Sequence, residues 1–296
     1  MIYNGMQKKE GVSYIIRNSL LYKSKVEYAD FCINHIEGCA HGCRFPCYAF
    51  NMAKRFGRVK TYTDWCKPKL VKNALELLDK EIPKYKKQIK FVHLCFMTDP
   101  FMYKYPEVSE MSLKIINKLN LAGIKCTILT KGIYPKELIN TKKYSKDNEY
   151  GITLVSLDNN FKKVFEPFSA SYRGRINSLK RLHEAGLKTW VSMEPYPSPS
   201  LIKQNLREIL KEISFVDNII FGKLNYNVKN KTWENKDFYD NCAKIVEKLC
   251  KDRGIKYHIK YGTKKIDNYK TSKIFKKEVP LVNFQIQNCQ EKLLAA

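Results

Sequence analysis

Short apolar runs rich in β-branched residues recur along the chain, at Asp30–Ile36, Lys90–Met97, Lys125–Lys131, Tyr150–Ser156, Lys188–Met193, Asn218–Leu224 and Ile255–Tyr261. Their length and composition predict strands. Between them the apolar spacing changes to the helical period. Leu70, Ala74, Leu77 and Leu78 share one face of a first helix, and Met111, Ile115, Ile116 and Leu119 one face of a second. Ile176, Leu179, Leu182 and Ala185 mark a third, and Cys242, Ile245, Val246 and Leu249 a last one. Gly123, Gly186 and Gly254 supply stop signals after three of these helices. Strands alternating with helices of roughly 10–18 residues argue for βα units and a parallel sheet. Six or seven such units build either an open doubly wound sheet or a complete or partial (β/α) barrel, and periodicity alone leaves that choice open.

No linker rich in Gly, Ser or Pro interrupts this pattern, and no repeat of roughly 20–50 residues underlies it. The reading is one α/β domain over residues 30–262, with residues 1–29 as an N-terminal extension. The Lys-rich, weakly periodic stretch 263–296 is expected to be a C-terminal extension packed on the barrel.

Composition narrows the class. Of 296 residues, 44% are hydrophobic and 12% aromatic, as in a folded globule and unlike a disordered chain. No apolar run approaches the roughly 18 residues of a membrane span, and Met1–Gly5 lacks the charged-then-apolar pattern of a signal peptide. The expected location is therefore cytoplasmic, with no membrane partner, where grouped cysteines are metal ligands or catalytic groups more often than disulfides. Lys and Arg number 54 against 29 Asp and Glu, a net charge of +25. Only nine of the basic residues are Arg. Genome composition accounts for the choice of Lys but not for the size of the imbalance, which favours a polyanionic partner, nucleic acid first.

Chemistry concentrates just after the first predicted strand, in Glu37-Gly38-Cys39-Ala40-His41-Gly42-Cys43-Arg44-Phe45-Pro46-Cys47-Tyr48. Three cysteines at three-residue gaps, in a loop broken by two glycines and a proline, can turn their thiolates onto one centre. With His41 they could close a Cys3His zinc site; alone they could hold three irons of a [4Fe–4S] cluster and leave the fourth open.

This loop resembles that of the radical S-adenosylmethionine (SAM) superfamily, whose cysteines are usually separated by three and then two residues. Here the gaps are three and three, with Phe45 matching the usual aromatic and Pro46 as the inserted residue. Further matches resemble the spore photoproduct lyase-like (DNA repair photolyase-like) branch: Cys47-Tyr48-Ala49, Thr98-Asp99-Pro100-Phe101 followed by Glu107, Thr130-Lys131, Thr153–Asp158, Glu166-Pro167 with Arg173, and Val191–Pro195. They fall in family order at the ends of predicted strands. The resemblance implies a partial (β/α)6 TIM-like barrel in which Cys39, Cys43 and Cys47 hold a [4Fe–4S] cluster. SAM would then be cleaved reductively to a 5′-deoxyadenosyl radical that abstracts hydrogen from substrate. Thr98, Asp99, Lys131, Ser156 and Glu194 would contact SAM, with Lys131 suited to its carboxylate. An electron donor such as flavodoxin or ferredoxin is implied, as is a nucleic-acid substrate. Cys95 is the candidate catalytic residue, a thiol that returns a hydrogen atom to product, and strand alternation places it on one face with His93 and Met97.

Two alternatives to a nucleic-acid enzyme remain at this level. One is a radical SAM enzyme acting on a small molecule or peptide; the other is a non-catalytic Cys3His zinc protein. The run Tyr48, Phe50, Phe56, Tyr62 and Trp65, interleaved with Lys54, Arg55, Arg58 and Lys60, suits a nucleic-acid backbone with stacked bases or equally a solvated surface segment.

Overall fold

A computed structural model describes residues 11–24, 29–44, 47–224 and 233–264, the stretch 233–236 in its backbone alone. The chain begins with β1 (Ser13–Ile15), β2 (Leu21–Lys23), β3 (Phe31–Ile33) and β4 (Ile36–Glu37), then α1 (Tyr48–Arg55), α2 (Tyr62–Trp65), β5 (Lys69–Val71) and α3 (Ala74–Tyr85). Alternation follows: β6 (Phe91–Leu94), α4 (Pro106–Leu121), β7 (Lys125–Thr130), β8 (Glu149–Thr153), α5 (Asn159–Phe165), α6 (Tyr172–Glu184), β9 (Lys188–Tyr196), α7 (Leu206–Glu212), β10 (Asn218–Lys223), α8 (Trp233–Arg253) and β11 (Lys256–Ile259).

Eight strands form the main sheet in the order β11-β10-β9-β8-β7-β6-β3-β2. Every pair from β3 to β11 is parallel, and β2 closes one edge antiparallel to β3. The parallel strands follow chain order across the sheet without reversing. A doubly wound sheet reverses at a switch point, whereas a barrel keeps winding one way. The order therefore selects the partial barrel over the doubly wound alternative. β2 also makes part of the expected N-terminal extension a member of the sheet. Of the expected C-terminal extension, only Thr263 and Lys264 fall within the described residues.

One face of the sheet packs on the helices. Val92 and Leu94 of β6, Cys126 and Ile128 of β7, Ile152 of β8, and Val191 and Met193 of β9 share a core with Leu78 of α3, Ile115 and Leu119 of α4, and Leu179 and Leu182 of α6. Strand alternation turns the residues between them the other way. On that side His93 Nδ1 meets Thr127 Oγ1 at 2.7 Å, and Gly151 lies under the Trp190 ring. A smaller sheet, β1-β5-β4, holds Leu70 in β5 rather than in the first helix, where its spacing had placed it. Among the described residues no helix is long and apolar enough to cross a membrane.

The aromatic and basic stretch after the cysteine loop divides in two. Trp65 is buried with Ala49, Ala53 and Val59, and Phe50 packs edge-on against Tyr62 at 5.0 Å, so these side chains build core. Tyr48 and Phe56 remain exposed.

Candidate active site

The predicted site residues lie where strands end, the edge at which parallel α/β folds build their sites. Cys95, Thr98 and Asp99 follow β6, Lys131 directly follows β7, Ser156 follows β8, and Glu194 stands in the last turnout of β9. At the end of β7, the chain can continue only because residue 132 is glycine: a Cβ there would sit 1.7 Å from the Phe101 carbonyl oxygen. That contact seats the β7 end on the β6–α4 loop.

The cysteine loop is pinned from several sides. Cys39 N donates to Trp65 O (2.8 Å), Ala40 N to Met102 Sδ (3.3 Å), Arg44 N to Phe165 O (2.8 Å), and Phe168 N to His41 O (3.2 Å). Gly42 adopts φ +62°, and a side chain there would collide with the Phe168 ring. Cys47 caps α1 from the N-terminal side. Burial pushes the Cys39 thiol well above its ordinary range and Cys43 up to about 11, with neighbouring cysteine sulfurs adding to both. The three sulfurs thus lie within electrostatic reach of one another. Among the described residues, no three His, Cys, Asp or Glu side chains converge closely enough to hold a metal ion as they stand. Phe45 and Pro46, which separate Cys43 from Cys47, are outside the described residues.

Beneath the loop runs a buried charged network. Asp99, 5% exposed, accepts from Phe101 N (2.9 Å) and Thr130 Oγ1 (2.6 Å) on one oxygen and from Lys131 N (2.7 Å) on the other, with His41 Nδ1 3.4 Å away. Its carboxylate therefore ties the end of β6 to the end of β7. His41 Nε2 accepts from Tyr103 N at 3.0 Å, which leaves the proton on Nδ1 facing Asp99, and burial lowers this ring's pKa to about 4. Both ring nitrogens are committed, so the structure does not offer His41 as the fourth ligand of a zinc site.

Lys131 Nζ lies 2.7 Å from Glu166 Oε1 and 3.6 Å from Cys43 Sγ. Burial opposes its charge, but Cys43 and Glu166 outweigh that and raise its pKa. Glu166, fully buried, also accepts from Arg175 at 2.6 Å. The partner of Glu166 is Arg175, not Arg173 as the motif suggested: Arg173 reaches out to Glu212 at 2.8 Å on the surface. Arg175 is itself fully buried and donates to Ala170 O (3.1 Å), Thr153 O (2.8 Å) and Ser169.

The remaining candidates are placed separately. Alternation stops at Leu94, because Cys95 takes a left-handed backbone (φ +59°), so Cys95 does not share the surroundings of His93. Its thiol instead lies 3.4 Å from His35 Nδ1, in an apolar cluster with Ile36, Ala40, Met102 and Val108 against which Cys39 also packs. His35 Nε2 lies 2.8 Å from Ser112 Oγ, which donates to Pro100 O. This assigns the free acceptor nitrogen of His35 to the Cys95 S–H. Sequence reasoning missed His35, and nothing periodic marks it. Thr98 Oγ1 donates to Ile36 O (3.4 Å), and buried Ser156 accepts from Asp158 N (3.1 Å). Glu194 pairs with Lys260 at 3.1 Å, beside Gly222. Asp99, Lys131 and the cysteine loop are thus brought together, while Glu194 belongs to a β9–β10–β11 group.

The sequence profile of the Radical SAM superfamily matches residues 33–213, a span from β3 to the end of α7 that contains the whole network above. The chain belongs to the radical SAM superfamily. Uncharacterized protein ORF301 of Acidianus two-tailed virus is 25% identical over 283 residues, which cover 83% of this chain and 90% of that one. Uncharacterized protein MJ0683 of Methanocaldococcus jannaschii is 31% identical over 176 residues, 58% of this chain and 62% of its own length. Among solved structures, spore photoproduct lyase complexed with dinucleoside spore photoproduct has a TM-score of 0.59 at 14% identity. A mutant of that lyase with bound AdoMet and dinucleoside spore photoproduct has a TM-score of 0.58 at 14% identity; both matches cover 83% of this chain and 80% of the other. At that identity the likeness is one of fold.

Radical SAM enzymes use a [4Fe–4S] cluster and SAM, and the donor set here suits the cluster. Three cysteines on one glycine-hinged loop would supply thiolate ligands, and the Lys131 ammonium beside Cys43 would offset part of their charge. Lys131 is less available to the SAM carboxylate than the resemblance implied, since Glu166 already occupies it.

Proposed function

We propose that this radical SAM enzyme acts on nucleic acid, with Cys39, Cys43 and Cys47 as the cluster ligands. When bound, cluster and SAM supply the reductive cleavage that yields a 5′-deoxyadenosyl radical. The chain's own residues do the positioning. Asp99 fixes the ends of β6 and β7, and Lys131, locked by Glu166, holds a positive charge at Cys43. Thr98, Ser156 and Glu194 are assigned to SAM from their places at strand ends. Cys95 is assigned to return a hydrogen atom to the product: it packs in one cluster with Cys39, and its weak S–H bond suits the task. The spore photoproduct lyase-like branch, DNA repair and a cytoplasmic location are parts of the same reading, as is an external electron donor such as flavodoxin or ferredoxin.

The observation that carries the nucleic-acid assignment is the charge of +25, set on a fold shared with a spore photoproduct lyase whose structure contains dinucleoside spore photoproduct. Retention of DNA on the reconstituted protein is expected to weaken linearly in log–log terms as salt rises, by about 0.7–0.9 in slope per phosphate neutralised. Binding that is absent or insensitive to salt would instead point to a small-molecule or peptide substrate.

A further inference from the structure

A cleft of about 450 Å3 opens beside the cysteine loop, between the start of α4 and the α5–α6 turn. Three ammonium groups line it, from Lys104, Lys162 and Lys163, together with the rings of Tyr103 and Phe168 and the amide of Asn159. Among the described residues none of the lining is acidic. The carboxylates next to the lining in sequence are Asp158, which caps α5 by accepting from Phe161 N at 2.7 Å, and Glu166, which is fully buried and satisfied by Lys131 and Arg175.

The lysines do different things. Lys162 Nζ reaches the carbonyl oxygens of Glu166 and Pro167, at 3.4 and 3.3 Å, and so braces the cleft wall. Lys104 and Lys163 are exposed. Lys104 is held at φ +67°, a left-handed conformation that costs a non-glycine residue on the order of 1 kcal/mol and persists only where the surroundings impose it. Phe168 is 45% exposed and sits on Gly42, the neighbour of Cys43. Phe168 therefore stands between the cleft and the residue next to a proposed cluster ligand.

We propose that this cleft binds a phosphodiester strand, with Lys104 and Lys163 contacting backbone phosphates and Phe168 offering its ring to a base. Exposed cations around a cleft that also carries an aromatic ring and an amide are the chemistry of a single strand: the ammonium groups position the backbone, and stacking holds a base whatever its sequence. An acidic protein surface would use the charges but gains nothing from stacking on the Phe168 ring. The cleft extends the nucleic-acid reading given above and rests on it. It is an independent claim about where the strand lies.

The test uses the full-length reconstituted protein and a fluorescent single-stranded oligonucleotide, with affinity measured across roughly 50 to 200 mM salt. The variant Lys104→Gln/Lys163→Gln spares Lys162, the cysteines and the buried network. Loss of two phosphate contacts is expected to reduce the log–log salt slope by about 1.4. The pair Lys80→Gln/Lys87→Gln, which removes the same charge from exposed positions at α3, is expected to leave the slope at its wild-type value. Iron content equal to wild type in both variants checks the fold. An unchanged slope in the cleft variant, with the wild type binding in a salt-dependent way, overturns the cleft and leaves the nucleic-acid reading standing. A wild type that shows no salt-dependent binding overturns both. Unaltered oligonucleotide binding with lost affinity for flavodoxin would assign the cleft to an acidic protein and also overturn the proposal.

Discussion

Replacing Glu166 by Gln is expected to lower the unfolding free energy by about 3–5 kcal/mol near neutral pH, the cost of removing one partner from a buried ion pair. Glu166 bridges two cations, Lys131 at 2.7 Å and Arg175 at 2.6 Å, and neither Glu166 nor Arg175 has exposed side chain. An amide keeps the shape but leaves the Arg175 charge uncompensated in the interior. The pH dependence gives a second readout. Burial alone would raise the Glu166 carboxyl, but Arg175 and Lys131 overcome it and hold the pKa at about 2, below its ordinary 4.5. A carboxyl depressed in this way stabilises the fold above its unfolded value, and the contribution disappears as pH falls through the folded one. Wild type should therefore lose roughly 3 kcal/mol between about pH 4.5 and 2 that the variant no longer has to lose, and the two stabilities converge at the acid end. Urea unfolding across this window measures it. A constant gap between the proteins would mean that Glu166 does not carry the charge assigned to it.

The second large effect is on cofactor loading. Cys43→Ala removes one of three thiolates, and three is the minimum that leaves only one iron open, so bound iron and sulfide are expected to fall to background after anaerobic reconstitution. The fold should survive: Cys43 is half-buried, and Lys131 keeps its bond to Glu166. Far-UV circular dichroism separates loss of cluster from loss of structure. The same substitution at Cys66, which is buried beside the loop but lies outside the three-cysteine motif, is expected to leave iron content unchanged. Wild-type iron in Cys43→Ala would remove this residue from the ligand set.

The parallel strands of the main sheet were readable because their apolar, β-branched runs stand out from the helical spacing around them, and the seven predicted runs overlap β3 and β6 to β11. The strands β1, β2, β4 and β5 are two or three residues long, too short to show any period. α1 was hidden because its buried side is made of Ala49 and Ala53, small residues that give little contrast with the exposed aromatics around them. At the site, the cysteine spacing and the strand-end motifs located the loop, Asp99 and Lys131. They did not show that Asp99 is saturated by backbone and side-chain donors, since Phe101, Thr130 and Lys131 meet it only through folding. Arg175 was within reach of sequence reasoning. It lies one position before Ile176 and four before Leu179, on the buried stripe of α6, whereas Arg173 is off that stripe. Motif order gave the element, and helical phase would have given the residue. The Cys95–His35 contact joins positions sixty residues apart through a left-handed turn, and no local pattern encodes it.

The central claim is that Cys39, Cys43 and Cys47 make this chain a radical SAM enzyme, and the formation of 5′-deoxyadenosine from SAM tests it most directly. Protein reconstituted anaerobically with iron and sulfide, then given SAM and dithionite, is expected to turn brown and to release 5′-deoxyadenosine, with none formed by Cys43→Ala. A colourless protein that carries one zinc, takes up no iron and releases no 5′-deoxyadenosine would contradict the account.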